Sequence, residues 1–287
     1  MSKLDEIYKS VIQTIIDKGV TAHNRTGIDT LSYSGVMIRH DMSDGFPLIT
    51  LRRIPYKSAF AEMEGFIKGI TNKRWYIEHN CHFWDQWCSP IEFNRSNPYP
   101  DVKYGDRRAF DVMKSIEDLG PIYGFQWRCF NGVDQLKNIV YDLKNNPTSR
   151  RMVCSAWNPK DLHQMALPPC HFTWQVTVTN NKLNLFFNQR SCDFILGNNL
   201  VGYGLLLKLL ALESGYEEGI LVAMYNDCHL YENHMYGIKE LLSRESNYDL
   251  PKLTIQNFKS IFDWKCTDYV LENYNYIEPQ IKFPVAI

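Results

Sequence analysis

The chain has 287 residues, of which 45% are hydrophobic and 14% aromatic, and this predicts one large domain or at most two. Its formal net charge of -1 argues against a broadly basic surface that binds nucleic acid. The eight cysteines contain no Cys-x-x-Cys pair, which argues against a zinc site and favours reduced thiols in a cytoplasmic protein. No apolar run reaches the roughly 18 residues of a membrane-spanning helix, and the polar N-terminus is unlike a signal peptide.

The first part of the chain alternates between helical and extended patterns. Apolar residues at helical spacing predict a helix over residues 4–18, and alternation of apolar and polar residues predicts a strand over 30–40. Between them, Asn24-Arg25-Thr26-Gly27 indicates a loop that presents one arginine. A further helix is predicted from Ser58 to Lys68. Its Glu62 lies among apolar neighbours, so it is either a helix-surface charge or an acid placed for chemistry.

The next region combines an aromatic cluster with a polar stretch. Trp84 and Trp87 belong to the segment from Cys81 to Trp87, whose rings form either a core cluster or a stacking wall for a flat ligand. Residues 89–118 are rich in Pro, Asn, Arg and Asp. This composition predicts a surface insertion and not a separate domain.

The second half of the chain is where strands concentrate. Strong β-formers predict strands over residues 151–157, 172–179, 182–190 and 221–225, with a turn at Asn180-Asn181. Helices are predicted over residues 134–144 and 200–212. The whole pattern is mixed α and β, without an internal repeat.

Cys170 follows two prolines and lies between two groups of arginines, Arg150-Arg151 and Arg190. Free cysteines are most often buried core residues, so an inert thiol is the first interpretation. However, guanidinium charge near a thiol lowers its pKa, and the planar fork of arginine matches phosphate. The arrangement therefore favours a nucleophilic cysteine beside a site for an anionic substrate.

Eight motifs in this sequence resemble the thymidylate synthase family, which comprises thymidylate synthases and related pyrimidine nucleotide hydroxymethylases. The resemblance covers nearly the whole chain outside residues 89–118. The motifs are Asn24-Arg25-Thr26-Gly27, Asp44-Gly45-Phe46-Pro47-Leu48, Gly120-Pro121-Ile122-Tyr123-Gly124, Ser149-Arg150-Arg151, Pro168-Pro169-Cys170-His171, Gln189-Arg190-Ser191-Cys192-Asp193, Asp227-Cys228-His229-Leu230-Tyr231 and Pro284-Val285-Ala286-Ile287.

This resemblance implies an α+β, thymidylate synthase-like fold in a single domain over residues 1–287: a mixed twisted sheet with helices on one face, and a homodimer formed sheet to sheet. It also implies 5,10-methylenetetrahydrofolate as co-substrate without a metal, a pyrimidine nucleoside monophosphate as substrate, and no membrane or DNA partner. A catalytically dead relative that binds nucleotide or RNA is the alternative from another class. Such a protein would lack part of the Cys, Glu and Arg set, which is complete here.

The resemblance also implies a role for each matching residue. Catalysis is expected of Cys170, whose thiolate would add to carbon 6 of the base, together with Glu62, Tyr123, Arg190 and Asp193. The nucleotide is expected to meet Arg25, Gln189, Arg190, Ser191, Asn199, His229 and Tyr231, with Arg150 and Arg151 supplied by the other subunit. The folate is expected to meet Arg52, Glu62, Trp84, Trp87, Asp193 and Gly197.

Three departures from the usual synthase motifs bear on the reaction. The segment from Leu196 to Asn199 is two residues shorter than the usual Leu-Gly-Leu-Pro-Phe-Asn, so either Asn199 or Asn198 reads the base. Glu64 and Gly65 replace Leu and Trp on the helix of Glu62, and Asn188 replaces Tyr before Gln189. The last two departures are similar to deoxycytidylate hydroxymethylases.

Extra polar groups and lost apolar bulk would admit a water molecule to the reacting carbon. We therefore expect hydroxymethylation of dUMP to 5-hydroxymethyl-dUMP, with thymidylate synthesis as the alternative. An asparagine offers both a donor and an acceptor to the uracil edge, while dCMP and CMP stay open as substrates. Trp84 and the tail Pro284-Val285-Ala286-Ile287 favour the synthase reaction, since both are expected to help close the site.

Overall fold

A mixed six-stranded sheet forms the centre of the protein. The computed structural model describes residues 1–197 and 199–285. The strand order is β1-β2-β6-β5-β4-β3, where β1 is Val20–Ala22, β2 Thr30–Asp41, β3 Val153–Ser155, β4 His171–Thr179, β5 Lys182–Asp193 and β6 Glu217–Tyr231. Strands β5 and β6 pair in parallel, and every other neighbouring pair is antiparallel. The predicted α+β class with a mixed sheet is confirmed.

Helices accompany this sheet, and α1, α6, α7 and α8 contact its strands directly. The helices are α1 Lys3–Lys18, α2 Tyr56–Lys68, α3 Lys73–Glu78, α4 Pro90–Ser96, α5 Phe110–Ser115, α6 Tyr123–Cys129, α7 Gln135–Asn145, α8 Asn199–Ser214 and α9 Met235–Ser243. Helix α8 is apolar on nearly all sides, which is typical of a helix buried within a core. It packs between α2 and strands β5 and β6. In this way α8 places its first residue, Asn199, beside the end of β5.

The opposite face of the sheet has a different character. Because side chains alternate along a strand, Val36, Ile38 and Phe187 point to the helices and are buried. Their neighbours Met37 and Asn188 point the other way, and both pair with Met224 of β6. Met37 is 57% exposed. This outward face therefore carries apolar side chains that the described part of this chain leaves partly in solvent.

Residues 89–118 are tied to the main body by buried polar contacts. The segment holds α4 and α5, and its buried side chains form a small cluster around Phe93, Val102 and Met113. The buried Lys73 ammonium donates to three backbone carbonyls, those of Asp85, Trp87 and Met113, at 3.1, 3.1 and 2.8 Å. The segment thus has helices and a core that its polar composition did not indicate.

Most predicted elements are present, with shifted ends. The predicted helix over 4–18 and strand over 30–40 correspond to α1 and β2, and Asn180 and Asn181 form the turn between β4 and β5 with φ of 49° and 60°. The strand predicted over 151–157 is only three residues long. The strand predicted over 221–225 is longer, because β6 pairs with β2 and β5 along its whole length. The hairpin β7–β8, Lys252–Ile255 and Tyr269–Glu272, was not predicted.

None of the helices in the described part of the chain is long and apolar enough to cross a membrane.

Candidate active site

Cys170 lies immediately before β4, half-buried beside Arg190 of β5. The Arg190 guanidinium donates through Nε to the Pro169 carbonyl and through Nη2 to the Pro168 carbonyl, both at 2.9 Å. The same Nη2 lies 3.7 Å from Cys170 Sγ. A bulge in the β4–β5 pairing falls between His171 and Thr173, and such bulges redirect the neighbouring side chain. Pairing and arginine together fix the position of the thiol.

The thiol is less acidic in the free protein than the sequence suggested. Burial raises the pKa of Cys170 above that of an ordinary thiol. The charge of Arg190, a hydrogen bond with the Tyr123 hydroxyl and the charge of Arg25 all lower this pKa, but burial outweighs them. The guanidinium groups do lower the Cys170 pKa, as expected. The expectation of a lowered pKa overall is wrong, because the effect of burial is larger.

A stack of aromatic rings lies next to Cys170. The Tyr123 ring stacks on His171 at 4.1 Å between centroids and on Phe66 at 4.9 Å. The Tyr123 hydroxyl accepts a hydrogen bond from the Cys170 backbone N–H at 2.7 Å. Burial raises the pKa of Tyr123 well above its usual value and lowers that of His171 to about 3. Both rings are therefore neutral near pH 7.

Glu62 of α2 lies beside this stack and pairs with an indole. Trp84 Nε1 donates a hydrogen bond to Glu62 Oε1 at 2.9 Å. Burial raises the pKa of Glu62 to about 7, and the Trp84 hydrogen bond opposes this shift. A carboxyl group with such a pKa can both take and give a proton near neutral pH. Trp84 is itself buried, so it contacts Glu62 and the aromatic stack more than it forms an open wall.

The second acid of the helix points away from this site. Residues two positions apart on a helix lie on nearly opposite sides. Glu64 is buried, forms an ion pair with Lys68 and accepts a hydrogen bond from the Cys266 N–H at 2.7 Å. The interpretation of Glu64 as an extra polar group around the reacting carbon is therefore wrong. Its role in the structure is to hold the loop at Cys266.

Gly65 does not leave a space for water. A Cβ at this position would lie 2.3 Å from the Tyr76 ring. Tyr76 is fully buried, and its hydroxyl donates to the Ile70 carbonyl at 3.0 Å. The space beside Gly65 is filled by the Tyr76 ring of α3. The expected loss of apolar volume at this position is also wrong.

Asn188 belongs to the other face of the sheet. Gln189 points toward α8, where Asn199 Nδ2 donates to its Oε1 at 2.9 Å. Because neighbouring residues of a strand point in opposite directions, Asn188 faces outward beside Met224. Its Oδ1 is buried without a hydrogen-bond partner within the described residues. Asn188 therefore does not contribute polarity to the site on the helix side.

The asparagine expected to read the base has one defined neighbour. The bond to Gln189 uses one N–H of Asn199 and leaves its Oδ1 and second N–H available for another partner. Gln189 Nε2 in turn donates to the Ser191 carbonyl at 2.8 Å. The alternative residue, Asn198, lies outside the described residues. The geometry brings Asn199 together with Gln189.

The loop after β5 is shaped around Asp193. Its Oδ1 accepts hydrogen bonds from the Ile195 and Leu196 N–H groups at 3.1 and 3.2 Å. Burial raises the pKa of Asp193, opposed first by the charge of His234. Gly197 approaches closely, since a Cβ there would lie 2.8 Å from the Asp193 carbonyl oxygen. A side chain would not fit at this position without a shift, so the short loop depends on the glycine at 197.

A groove of about 480 Å³ opens beside this loop, between Leu196 and the residues from Gln280 to Phe283. Arg52 lines it but is buried, donates to the Ile195 carbonyl and lies 5.5 Å from the Phe283 ring centroid. Arg53 and Lys282 are the cations of the groove that are not buried. Arg52 Nε has no hydrogen-bond partner within the described chain. The groove thus offers positive charge to an anion. Arg53 and Lys282 supply this charge where solvent reaches, in addition to the buried Arg52.

The rim of the site is formed by β6 and the first loop. His229 Nδ1 lies 3.4 Å from Asp227 Oδ1, and the Tyr231 ring meets His229 edge-on at 5.3 Å. The exposed Arg25 lies over the Trp87 ring, 5.6 Å from its centroid. Ser191 pairs with Asp227 across β5 and β6. These residues lie around the Cys170 side of the sheet.

Arg150 and Arg151 are the predicted residues that this chain does not bring to its own site. Both are exposed and precede the edge strand β3. Within the described residues neither guanidinium takes part in an ion pair or a hydrogen bond, and the Arg151 backbone N–H donates to Ser149 Oγ at 3.2 Å. Of the C-terminal motif over 284–287, which is expected to help close the site, residues 286 and 287 lie outside the described residues.

Two residues were missed by the sequence analysis. The Tyr104 hydroxyl lies 2.7 Å from the carbonyl oxygens of both Cys88 and Ala166, and thereby ties the segment 89–118 to the loop that leads to Cys170. His234 contacts the Pro284 carbonyl at 2.7 Å and lies 3.8 Å from Asp193. His234 follows the Tyr231 motif by three residues, but its partner lies 50 residues further along the chain. No local pattern indicates such contacts.

Comparison with known proteins agrees with this geometry. The sequence profile of the family described as "Thymidylate synthase" matches residues 6–287. Among curated proteins, the chain is 37% identical over 290 residues to the thymidylate synthase of Malacoplasma penetrans, covering 98% of this chain and 99% of that protein. It is 38% identical to that of Mycoplasma genitalium, covering 98% and 99%, and 39% identical to that of Mycoplasma mobile, covering 98% and 100%.

The family uses 5,10-methylenetetrahydrofolate as co-substrate and requires no metal. Within residues 1–197 and 199–285, no group of three His, Cys, Asp or Glu side chains is placed to hold a metal ion. The match spans nearly the full chain and includes both the cysteine and the arginine motifs. This protein therefore belongs to the thymidylate synthase family and is a folate-dependent one-carbon transferase.

Proposed function

We propose that this protein is a thymidylate synthase, which converts dUMP to dTMP with 5,10-methylenetetrahydrofolate. The observation that carries the proposal is the arrangement of the Cys170 thiol, 3.7 Å from the Arg190 guanidinium, with the Tyr123 hydroxyl bonded to the Cys170 backbone. A thiol held in this way beside arginines suits attack on the ring of an anionic nucleotide. The named relatives support the same reaction.

The first step assigned to this site is covalent. The Cys170 thiolate adds to carbon 6 of uracil, and the electron pair of the carbon 5–carbon 6 bond moves toward oxygen 4, which leaves carbon 5 nucleophilic. Because burial keeps the thiol protonated in the free protein, its proton is released to water as the thiolate forms, and the charges of Arg190 and Arg25 together with Tyr123 stabilise that thiolate. The folate supplies the one-carbon unit and, in a synthase, the hydride that reduces it.

Proton transfer is assigned to Glu62 and Tyr123. With a pKa of about 7, Glu62 exchanges a proton with oxygen 4 of the base, directly or through water. Tyr123 stays protonated because burial raises its pKa well above the usual value. We therefore assign it the role of a hydrogen-bonding relay for the proton that leaves carbon 5, and not that of a permanent base.

Uracil is the base that Asn199 fits best. After its bond to Gln189, Asn199 retains one acceptor and one N–H donor, which matches N3–H and oxygen 4 of uracil. A cytosine edge presents the opposite pattern at position 4. His229 and Tyr231 are assigned to the sugar hydroxyl, and Arg25, Arg190 and Ser191 to the phosphate. Competition between dUMP, dCMP and CMP for binding tests this assignment.

The residues around the groove fit a folate. Asp193 offers a carboxylate for the pterin ring, and the groove beside it is lined by Phe283 and by the cations Arg53 and Lys282, which suit the glutamate tail. Arg52 also lines this groove and is assigned to the folate with them. Trp84, Trp87, Glu62 and Gly197 complete the proposed folate site. No metal is needed for these contacts.

Reductive methylation is favoured over hydroxymethylation by three features. Glu64 is turned toward Cys266, Tyr76 fills the space beside Gly65, and Asn188 faces the other side of the sheet. None of them adds water-binding polarity at the reacting carbon. The short loop from Leu196 to Asn199 is the one departure that still favours hydroxymethylation, which is therefore the second candidate.

We propose further that the protein is a single-domain homodimer joined through the outward face of the sheet. Met37 is 57% and Val153 44% exposed on that face, and the buried Oδ1 of Asn188 finds no partner in the described chain. Exposed apolar surface of this kind is typical of an interface. Arg150 and Arg151, exposed before β3, would then reach the phosphate of the partner's nucleotide. Sedimentation at micromolar concentration tests the dimer.

One experiment tests the reaction and its nucleophile together. Purified protein is incubated with dUMP and 5,10-methylenetetrahydrofolate, and nucleotide and folate products are quantified. We expect dTMP and dihydrofolate in equal amounts, and none from Cys170→Ser. Activity of Cys170→Ser equal to that of the unaltered protein would overturn the assignment of the nucleophile. Hydroxymethyl-dUMP with tetrahydrofolate would establish the second candidate instead.

A further inference from the structure

His234 is a buried histidine that joins two distant parts of the chain. It ends the 3₁₀ turn Glu232–His234 after β6, and its side chain is 1% exposed. Its Nε2 lies 2.7 Å from the carbonyl oxygen of Pro284 in the C-terminal segment. The ring also meets Phe283 edge-on at 5.4 Å between centroids. The C-terminal segment therefore rests on His234 through both a polar and an aromatic contact.

The hydrogen bond fixes which ring nitrogen carries the proton. A carbonyl oxygen only accepts hydrogen bonds, so Nε2 must be the donor. In a neutral imidazole Nδ1 is then a lone pair. This Nδ1 is buried, has no hydrogen-bond partner among the described residues, and lies 3.8 Å from Asp193 Oδ1. A lone pair facing a carboxylate becomes a hydrogen bond only when one proton is shared between the two groups.

Asp193 is held so that a small movement would complete this contact. The Ile195 and Leu196 N–H groups bind Oδ1, the same oxygen that faces His234. Oδ2 receives no hydrogen bond from the described residues and remains available to a ligand. His234 Nδ1, which has no hydrogen-bond partner among the described residues, and the Asp193 carboxylate therefore form one arrangement. A buried histidine satisfied by a single carbonyl does not account for this geometry.

We propose that His234 is a positioning residue that couples the C-terminal segment to Asp193, so that docking of the segment and orientation of the folate-binding carboxylate occur together. The inference rests on the proposed function, because it takes Asp193 to be a folate ligand. Through Nε2 the histidine holds the segment at Pro284, and through Nδ1 it would orient Asp193 once a proton is shared between Nδ1 and Oδ1. The folate site is then completed by a residue that does not touch the folate.

The first test uses the ligand-free protein. His234→Phe keeps an aromatic ring against Phe283 and removes both nitrogens, and His234→Gln keeps a donor for the Pro284 carbonyl. We expect carboxypeptidase to release C-terminal residues about tenfold faster from His234→Phe, as for loss of one hydrogen bond. His234→Gln should be trimmed at nearly the original rate. Equal trimming of His234→Phe and the unaltered chain would overturn the contact with the segment.

The second test measures folate. With dUMP present, both substitutions should weaken binding of tetrahydrofolate about tenfold by calorimetry and raise KM for the folate while KM for dUMP is unchanged. In a chain that ends at Phe283, adding His234→Phe should change tetrahydrofolate binding less than twofold, because the coupling needs both partners. Additive effects of truncation and substitution would show that His234 acts independently of the segment, which would overturn the proposal.

A matched control is provided by His40. It is also buried, and its Nε2 lies 2.8 Å from the Gly45 carbonyl, but it does not contact the site. His40→Gln should leave trimming and folate binding unchanged, and a similar loss there would indicate a general effect of replacing a buried histidine. If the unaltered protein binds no folate, the proposed function fails, whereas the trimming result on the ligand-free chain still decides whether His234 holds the segment.

Discussion

Trp84 and Glu62 form a buried pair in which the indole Nε1 donates to the carboxylate at 2.9 Å. Burial raises the Glu62 pKa to about 7, and this single hydrogen bond is what opposes the shift. Trp84→Phe keeps the ring and removes the donor, so the pKa of Glu62 should rise further. If the ionised form is required, the acidic limb of the kcat profile should have its midpoint near pH 7 and move to higher pH in Trp84→Phe. An unmoved midpoint would show that Glu62 does not control the limb.

The same carboxyl group makes a prediction for stability. In the unfolded chain the pKa of a Glu is about 4.3, whereas in the folded protein the pKa of Glu62 is about 7. The folded state therefore holds the extra proton, and the contribution of Glu62 to stability is fully present below the unfolded pKa and lost as pH rises through 7. Glu62→Gln should consequently be more stable than the unaltered protein at pH 8, with a smaller advantage at pH 5. Urea unfolding at the two pH values measures this, and a pH-independent difference would contradict the assigned pKa.

Tight packing at Gly65 predicts a large effect from one methyl group. Gly65→Ala would place Cβ 2.3 Å from the Tyr76 ring, and overpacking of this kind costs about 1–3 kcal/mol. Tyr76→Leu should relieve the clash, so that Gly65→Ala costs less in that background. Denaturant unfolding of the four proteins gives the coupling free energy. A harmless Gly65→Ala in the original background would mean that the space is not filled, which would revive the case for water there.

The elements that sequence predicted well are those with long, regular patterns. Helix α1 and strand β2 are specified by apolar spacing, and the structure brings Cys170 and Arg190, which the sequence singled out by residue type, within 3.7 Å of each other. The incorrect predictions have a common physical cause: a sequence does not show in which direction a side chain points. Glu64, two residues from Glu62, turns to Cys266, and Asn188 turns to the other face of the sheet from Gln189. Space that looks vacant at Gly65 is filled by Tyr76 of another helix, a compensation that only the tertiary structure reveals.

Tyr104 connects the segment 89–118 to the loop before Cys170, and this contact predicts an effect at a distance. Its hydroxyl lies 2.7 Å from the carbonyl oxygens of Cys88 and Ala166, and a hydroxyl has one proton to share between them. Tyr104→Phe should destabilise the protein by about 1 kcal/mol and increase the alkylation rate of Cys170, because the loop after Ala166 loses a tether. Tyr99→Phe, at an exposed position in the same insertion, is the matched control. Identical alkylation rates in all three proteins would argue against a connection between the insertion and the nucleophile.

A shared active site predicts complementation between inactive proteins. Cys170→Ser lacks the nucleophile, whereas a protein with both Arg150→Ala and Arg151→Ala lacks the arginines that we assign to the partner's phosphate site. After the two are mixed, unfolded and refolded together, half of the dimers are hybrids with one complete site each, so activity should recover to about a quarter of that of the unaltered protein. No recovery would mean that the arginines act within their own subunit or not at all. Each inactive protein refolded alone is the control.

The most direct test of the central claim follows the oxygen of water. Protein, dUMP and 5,10-methylenetetrahydrofolate are incubated in ¹⁸O-enriched water, and the nucleotide product is analysed by mass spectrometry. A synthase excludes water from the reacting carbon, so we predict dTMP without ¹⁸O, accompanied by an equal amount of dihydrofolate. The variant Glu64→Gln should give the same product, since Glu64 is turned away from the site. A product carrying one ¹⁸O in a hydroxymethyl group, with tetrahydrofolate released, would contradict the account.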